Sequence, residues 1–309
     1  MRIAIDVGHG WVKAVAEDGG RVCFPALIAP MPATVDLGEF ASMDAVVIEG
    51  TRYVVGESAR QHATPLWSRE KAADPDTLRL HLVAAAQLGA VGPVKLVTGL
   101  PLAWYGPQRR ALRETLTGFG GAVTLPGRAP QRLWFDRVLV LPQGVAAAGP
   151  VLATDAYEPG TYVVVDVGYR TTDHLLVEKT ETGKLVFAPD AAGSIEIGVY
   201  SVFHSVADAL AQAYHLPFTA AEVEAASFVT VRGQKIDVTQ RIRATKEAVG
   251  RQVAQKLAAA LDAHLEKVLG VVAVGGGADL LAAVLPGCIV SPDPQWANAA
   301  GYLAALEAG

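Results

Sequence analysis

The chain has 309 residues, of which 51% are hydrophobic and 18% are charged, and its formal net charge is −5. This composition excludes a disordered chain, which combines low hydrophobicity with many charges. The acidic balance disfavours a protein that holds nucleic acid with its whole surface, because such proteins carry a basic surface, and it leaves only a local patch for such binding.

The first half of the sequence predicts alternating strands and helices. The segment 2–18 contains an apolar strand, a glycine turn and a second strand, which together predict a β-hairpin. The other predicted elements of this half, in chain order, are strands at 22–29 and 45–57, a helix at 76–88, a buried strand at 94–105, an amphipathic helix at 106–119, and a strand leading into a helix at 137–149.

The second half begins with the same pattern. The segment 161–179 again predicts a strand, a glycine turn and a strand, and the triplet Asp-Val-Gly begins at both Asp6 and Asp166. A repeat at this distance indicates two similar domains built by duplication. The remaining predicted elements are a turn and helix at 194–214, a helix with a capping box at 218–226, a long helix at 238–269, a strand, glycine turn and helix at 271–285, and a loop and last helix at 291–309.

One weakly charged stretch, 269–290, has the length of a membrane span. Glycines at 275–277 and Pro286 interrupt it, so a strand, turn, helix and strand fit the stretch better. The first ten residues lack the apolar core of a signal peptide. We therefore expect a soluble cytoplasmic protein that does not interact with a membrane.

Three glycine turns, at 8–10, 168 and 275–277, each follow a predicted buried strand. Such turns expose backbone N–H groups and let phosphate oxygens approach closely. Acids at the ends of two of these strands, Asp6 and Asp166, suit a metal–phosphate group held between two domains. The cysteines and histidines form no ligand spacing, so the metal expected is Mg²⁺, which prefers oxygen ligands.

Five segments resemble, in the right order, motifs of the actin-like ATPase superfamily, which also contains sugar kinases and heat-shock chaperone ATPases. The phosphate loops are at 3–13 and 163–173, the connecting segments are at 138–149 and 291–306, and the adenosine loop is at 271–281. Within the superfamily, the segments 6–13, 98–101, 166–173 and 194–199 most resemble bacterial actin-like proteins of the ParM/StbA plasmid-segregation type. The resemblance implies an α/β fold of two duplicated ribonuclease-H-like domains with a nucleotide cleft between them: domain I at 1–150, completed by 292–309, and domain II at 151–291.

The resemblance also implies a role for individual residues. Asp6 and Asp166 would hold Mg²⁺ through water, and Gln143 would orient the attacking water. The remaining implied residues would contact ATP, or GTP as the alternative, and they are Gly8, His9, Gly10, Lys13, Gly168, Tyr169, Arg170, Thr171, Thr172, Asp173, Lys246, Glu247, Gly275, Gly276 and Gly277.

Several of these residues also have a purely structural interpretation. Lys13 and the pair Lys246 and Glu247 could be solvated surface charges, and Gln143 could cap the following helix. Asp173 could be a structural hydrogen-bond acceptor. The tryptophans Trp11, Trp104 and Trp296 are predicted to be packing residues.

The two phosphate loops also depart from the superfamily pattern. His9, Gly10 and Trp11 replace the hydroxyl residue that many members carry in the first loop. Tyr169 and Arg170 replace glycines of the second loop, which disfavours chaperone and sugar-kinase activities and favours a direct contact between Arg170 and phosphate.

The predicted function is an ATP-dependent, filament-forming protein that segregates plasmid DNA or positions a cellular cargo, and whose slow, Mg²⁺-dependent hydrolysis switches filament stability. Its expected partners are further copies of itself and a separate DNA-binding adaptor protein, without direct contact to nucleic acid. The alternatives are a non-polymerising ATPase module and a small-molecule kinase of the same superfamily. A kinase is disfavoured because the chain has no long insertion for a second substrate.

Overall fold

The computed structural model describes residues 1–33, 44–224 and 226–307. The chain divides into two compact units, the first made of Met1–Pro150 with Asn298–Gly309 and the second of Val151–Ala297. Residues 292–297, which the sequence analysis assigned to the first domain, group with the second unit. We call these unit 1 and unit 2.

Unit 1 contains a nine-stranded sheet with the order β3-β2-β1-β7-β9-β8-β5-β6-β4. Its strands are β1 (Arg2–Val7), β2 (Trp11–Ala16), β3 (Arg21–Pro25), β4 (Ile28–Pro30), β5 (Val46–Ile48), β6 (Thr51–Val55), β7 (Gly92–Leu100), β8 (Gly120–Thr124) and β9 (Gln131–Pro142). Its helices are α1 (Pro75–Gln87), α2 (Leu102–Leu116), most of α3 (Val145–Leu152) and, at the end of the chain, α8 (Ala297–Glu307).

The core of unit 1 follows from the apolar alternation along its central strands. Ile3, Ile5 and Val7 of β1 are buried in one cluster with the leucines and alanines of α1. On the opposite face, Tyr302 of α8 packs on Ala4 and Val97. These contacts explain why the end of the chain returns to unit 1.

Unit 2 contains a five-stranded sheet with the order β12-β11-β10-β15-β16, and a separate hairpin. Its strands are β10 (Gly160–Val167), β11 (Thr172–Lys179), β12 (Leu185–Ile195), the hairpin strands β13 (Phe228–Val231) and β14 (Gln234–Asp237), β15 (Gly270–Val274) and β16 (Cys288–Val290). Its helices are α4 (Val199–Tyr214), α5 (Ala220–Glu224), α6 (Thr239–Leu261) and α7 (Ala278–Ala282).

The predicted duplication is visible in both sheets. In each unit, three antiparallel strands continue into two strands that pair in parallel, giving β3-β2-β1-β7-β9 and β12-β11-β10-β15-β16. The hairpin turns are also alike, because Gly8 N–H donates to Trp11 C=O at 3.0 Å and Gly168 N–H donates to Thr171 C=O at 2.9 Å. The predicted α/β fold of two duplicated domains is confirmed.

Several predicted elements have other bounds in the structure, and four strands were not predicted. The long helix ends at Leu261 rather than 269, because Asp262 adopts a left-handed φ of 40° and a 3-10 turn follows. The strand predicted at 94–105 ends at Leu100, because α2 begins at Leu102, and this helix, predicted at 106–119, ends at Leu116. The strands β8, β12, β13 and β14 were not predicted from the sequence.

The stretch 269–290 forms β15, α7 and β16, as predicted for a strand, turn, helix and strand. In the described part of the chain, no helix is both long and apolar enough to cross a membrane.

Candidate functional site

The first acidic residue of the predicted site, Asp6, lies at the centre of a hydrogen-bonded cluster. Asp6 is near the end of β1 and is only 2% exposed. Lys13 faces it across the hairpin, and its Nζ lies 2.6 Å from Asp6 Oδ2. Gln143 Nε2 donates to Asp6 Oδ1 at 2.9 Å. A residue 137 positions away is therefore brought to the predicted phosphate turn.

The position of Gln143 is fixed by its backbone. Its N–H donates to the C=O of Leu100 at 2.8 Å, at the end of the neighbouring strand β7. The next residue, Gly144, donates its N–H to Asn298 Oδ1 of α8 at 3.0 Å. The side-chain amide of Gln143 binds Asp6, so this contact is distinct from the helix cap that was the alternative interpretation.

The first glycine turn is tight. A Cβ added to Gly8 would lie 2.9 Å from the carbonyl oxygen of Trp11, so a side chain does not fit there without movement. His9 is buried, and its ring lies 5.3 Å from that of Trp104 and 6.4 Å from that of Trp67. The backbone of this turn, rather than the side chain of His9, is therefore what it offers to a ligand.

The structure adds Lys71 to this cluster. Its Nζ donates to the carbonyl oxygen of Val7, directly before the glycine turn, and the residue is 3% exposed. Its backbone N–H donates to Gln108 Oε1 at 3.2 Å, which anchors the segment to α2. The sequence carried no local signal for Lys71, because the contact joins residues 64 positions apart.

The second hairpin places an acid where the first places a lysine. Asp166 and Asp173 are paired in register across β10 and β11, as Asp6 and Lys13 are across β1 and β2. Both aspartates are buried, and Ser194 Oγ donates to Asp173 Oδ1. Asp173 therefore accepts a structural hydrogen bond.

Other side chains of the second turn contact the surrounding protein. The hydroxyl of Tyr169 donates to Glu224 Oε2 at 2.9 Å, and that of Thr172 donates to the C=O of Ile197 at 2.8 Å. Thr171 is buried, and Arg170 is half-buried. Arg170 supplies the positive charge of this turn.

The third glycine turn closes on the end of β10. Gly275 has a φ of 85°, and a Cβ there would lie 2.3 Å from Asp166 Oδ1. A Cβ on Gly277 would lie 2.6 Å from the side chains of Val167 and Val199. Gly276 differs, since the nearest atom to its Cβ would be Gln295 Cγ at 3.8 Å. The outer two glycines serve close packing, and the middle one has room for a side-chain carbon.

Gly276 borders a cavity of about 280 Å³ in unit 2. Its walls come from the third glycine turn and from the segment that precedes α8, and the lining residues are Gly275, Gly276, Ala278, Asp279, Asp293, Pro294, Gln295 and Trp296. Trp296, which the sequence analysis assigned to packing, thus borders a cavity. Gly275 N–H donates to the C=O of Pro294 at 2.7 Å, which joins the two walls.

Two predicted residues lie elsewhere in unit 2. Lys246 and Glu247 are exposed on α6, and Glu247 lies 3.9 Å from Arg251 one helical turn away. Neither lines the cavity, so their contact with a base and ribose stays a prediction.

A magnesium site made of Asp6 and Asp166 also stays a prediction. Across residues 1–33, 44–224 and 226–307, no group of three or more histidine, cysteine or acidic side chains could hold a metal. Mg²⁺ often binds proteins through one or two carboxylates and retained waters, so it does not require such a group.

Comparison with known proteins identifies the fold of this chain. Residues 4–145 match the family model of the N-terminal domain of actin-like proteins, and residues 164–286 match that of the C-terminal part of the archaeal, MreB-like actin homologue. The structure aligns over its whole length with a 15-stranded ParM filament from Clostridium botulinum, covering 99% of that chain, at 20% identity and a TM-score of 0.84. The chain therefore has the actin-like ATPase fold.

The most informative sequence relative is archaeal. An archaeal actin homolog from Thermoplasma acidophilum is 26% identical over 324 residues, which cover 99% of this chain and 98% of the relative. An archaeal actin homolog in complex with ADP aligns with all of this chain and 99% of its own, at 24% identity and a TM-score of 0.79. The fold is shared with ParM and archaeal actin homologues, and the narrower resemblance to the ParM/StbA type is not established.

Proposed function

We propose that this chain is an ATP-binding, filament-forming protein whose hydrolysis of bound ATP weakens its filaments. The observation that carries the proposal is the cluster of Asp6, Lys13 and Gln143 beside a glycine turn. Lys13 supplies a cation that can bind phosphate oxygens, and Asp6 supplies a carboxylate that can bind a hydrated Mg²⁺. Gln143 supplies an amide that can bind a water molecule. The ADP complex of an archaeal actin homolog and the filament of a ParM protein support it.

The residues present fit a hydrated magnesium ion. Both carboxylate oxygens of Asp6 accept a hydrogen bond, one from Gln143 and one from Lys13. Each oxygen has a second lone-pair direction, so Asp6 can also accept from a metal-bound water. When bound, Mg²⁺ would neutralise charge on the phosphates. We propose that Asp166 contributes the second carboxylate.

Hydrolysis in this proposal depends on positioning. Lys13 balances phosphate charge, and the amide of Gln143, anchored through its backbone to β7, orients a water molecule for in-line attack on the γ-phosphorus. No side chain forms a covalent intermediate. Arg170 adds positive charge from the second turn.

The cavity beneath the third glycine turn is our proposed site for the base. Gly276 adds no side chain to the cavity, and Trp296 supplies an aromatic surface on which a base can stack. The volume, about 280 Å³, is at the lower end of small-molecule sites, as expected for a pocket that receives one part of a nucleotide. We propose ATP as the nucleotide, with GTP as the alternative, and Lys246 and Glu247, which lie outside the cavity lining, as residues that flank the base and ribose.

The cellular role we propose is the segregation of plasmid DNA in the cytoplasm. The structural likeness to ParM supports this role, and the net charge of −5 favours an adaptor protein as the DNA-binding partner.

Light scattering combined with pelleting tests the proposed function. The purified chain should scatter and pellet with ATP and Mg²⁺, and remain in the supernatant without nucleotide. Binding of a fluorescent ATP analogue should be measured in the same samples. Nucleotide binding without any pellet would contradict filament formation, and the absence of nucleotide binding would contradict the whole proposal.

A further inference from the structure

The second half of β9 has an open edge. β7 pairs with the whole strand from Leu133 to Pro142, but β8 covers the other edge only as far as Trp134. In the described part of the chain, no strand lies on that side of 136–142. An edge of this kind presents a row of N–H and C=O groups to which another strand can bind.

An arginine-rich groove lies beside this edge. We call it the α2–β9 groove, and it has a volume of about 550 Å³. Its lining residues are Tyr105, Arg109, Arg110, Arg113, Glu114, Leu139 and Val140. It is thus formed by one face of α2 and by the uncovered part of β9, and it lies outside the candidate nucleotide site.

The arginines of the groove are available to an acidic partner. Arg109, Arg110 and Arg113 are exposed, and within the described residues none of them forms an ion pair. Arg109 stacks over the ring of Tyr105, 5.1 Å from its centroid, which holds its side chain along the helix. Leu139, 40% exposed, adds an apolar wall.

The charge of this region is opposite to that of the rest of the chain. Residues 102–142 contain six arginines and two acidic residues, a net charge of +4, whereas the whole chain carries −5, which leaves −9 for the remainder. A local positive region on an acidic protein selects acidic partners and raises their rate of association.

We propose that the α2–β9 groove binds an extended acidic segment of a partner protein, which adds to the sheet as a strand along the open edge of β9. Backbone hydrogen bonds to 136–142 give affinity, and acidic side chains at every second position face the arginines. The open edge favours a peptide over nucleic acid, because a duplex cannot continue a β-ladder.

Fluorescence anisotropy with the full chain tests the proposal. The probe is a labelled ten-residue peptide that alternates glutamate with valine, and its lysine–valine counterpart is the control. We expect only the acidic peptide to bind, with an affinity that falls about tenfold or more between low and high salt. The double variant Arg110→Glu/Arg113→Glu should lose at least tenfold in affinity. The matched variant Arg241→Glu/Arg243→Glu, on exposed positions of α6, should bind normally.

A second measurement separates strand addition from charge attraction alone. N-methylation of alternate peptide amides removes ladder donors and should abolish binding, and the amides of 136–142 should exchange more slowly with the unmodified peptide bound. Equal binding of the methylated or lysine peptide, or unchanged binding by the Arg110/Arg113 variant, would overturn the proposal. Binding of duplex DNA instead of the peptide would overturn the proposal and assign the groove to nucleic acid. Loss of pelleting in the Arg110/Arg113 variant would overturn it and assign the groove to a second copy of this chain. ATP binding should be the same in all variants. A chain that binds ATP but not the acidic peptide would therefore contradict the peptide site alone and leave the proposed function standing.

Discussion

Lys13 of the first hairpin and Asp173 of the second occupy equivalent positions, each directly opposite the aspartate that is the second-last residue of the preceding strand. The backbones of the two turns are alike, with Gly8 and Gly168 donating the same hydrogen bond. The duplicated hairpins therefore present opposite charges beside Asp6 and Asp166. The positive charge of Lys13 suits contact with phosphate oxygens, and the negative charge of Asp173 suits contact with a hydrated cation.

Replacement of Asp166 tests the proposed metal site. We expect Asp166→Ala to abolish Mg²⁺-dependent ATP hydrolysis and to leave the far-ultraviolet circular dichroism spectrum unchanged, because the side chain lies at the end of a strand rather than in the apolar core. Hydrolysis should be measured by phosphate release over a range of Mg²⁺ concentrations. A variant that hydrolyses ATP at the parent rate would show that Asp166 does not take part.

Replacement of Gln143 should separate hydrolysis from binding. Gln143→Ala removes the amide that lies 2.9 Å from Asp6 Oδ1 and that we propose orients water. We expect a fall in hydrolysis of roughly 10- to 1,000-fold, as for other lost positioning groups, with nucleotide affinity nearly unchanged. Filaments formed with ATP should persist longer. If affinity falls instead, Gln143 has a structural role.

Two alanine substitutions in the third glycine turn form a matched pair. Gly275→Ala places a Cβ 2.3 Å from Asp166 Oδ1 at a φ of 85°, and it should destabilise the chain by at least about 2 kcal/mol. Gly276→Ala meets no atom closer than 3.8 Å, so stability should be retained while nucleotide affinity falls. Urea unfolding and a fluorescent nucleotide measure the two effects. Full affinity in Gly276→Ala would show that the cavity does not receive the base.

His81 predicts a loss of stability in mild acid. Burial in α1 lowers its pKa from 6.5 to about 4, since desolvation disfavours the charged ring. As the pH falls, the unfolded chain therefore takes up a proton at His81 before the folded chain does. The contribution of neutral His81 to the free energy of unfolding is present above pH 6.5 and is lost as the pH falls towards 4. The loss amounts to about 3 kcal/mol. His81→Gln should show a weaker pH dependence between pH 6.5 and 4 in urea unfolding, and an identical dependence would exclude His81 as the cause.

The sequence predicted the parts of the fold that have a local signal. Both hairpins, the glycine turns and the capping box of Thr219 with Glu222 could be recognised from neighbouring residues. The strand β8 could not, because it begins with Gly120 and Gly121, which have poor strand propensity. Gly120 is required there by contact with Trp134, a residue of the neighbouring strand.

In the candidate site too, contacts between neighbouring strands could be predicted, and contacts between residues distant in sequence could not. Asp6 and Lys13 are joined by one hairpin, and their contact could be expected from the pattern. Lys71 reaches Val7 through a loop without regular periodicity, so nothing in its sequence neighbourhood indicated the contact. Trp296 borders the cavity because Asp293 adopts a left-handed φ of 47° before a 3-10 turn, a backbone feature that the sequence does not indicate.

The critical concentration for pelleting tests the central claim most directly. A ligand shifts a conformational equilibrium only by its difference in affinity for the two states, and ADP lacks the γ-phosphate at which we propose that Lys13 and Gln143 act. The critical concentration should be measured with ADP and with a non-hydrolysable ATP analogue at equal Mg²⁺. We predict a clearly lower value with the analogue, and equal values would contradict a nucleotide-controlled filament.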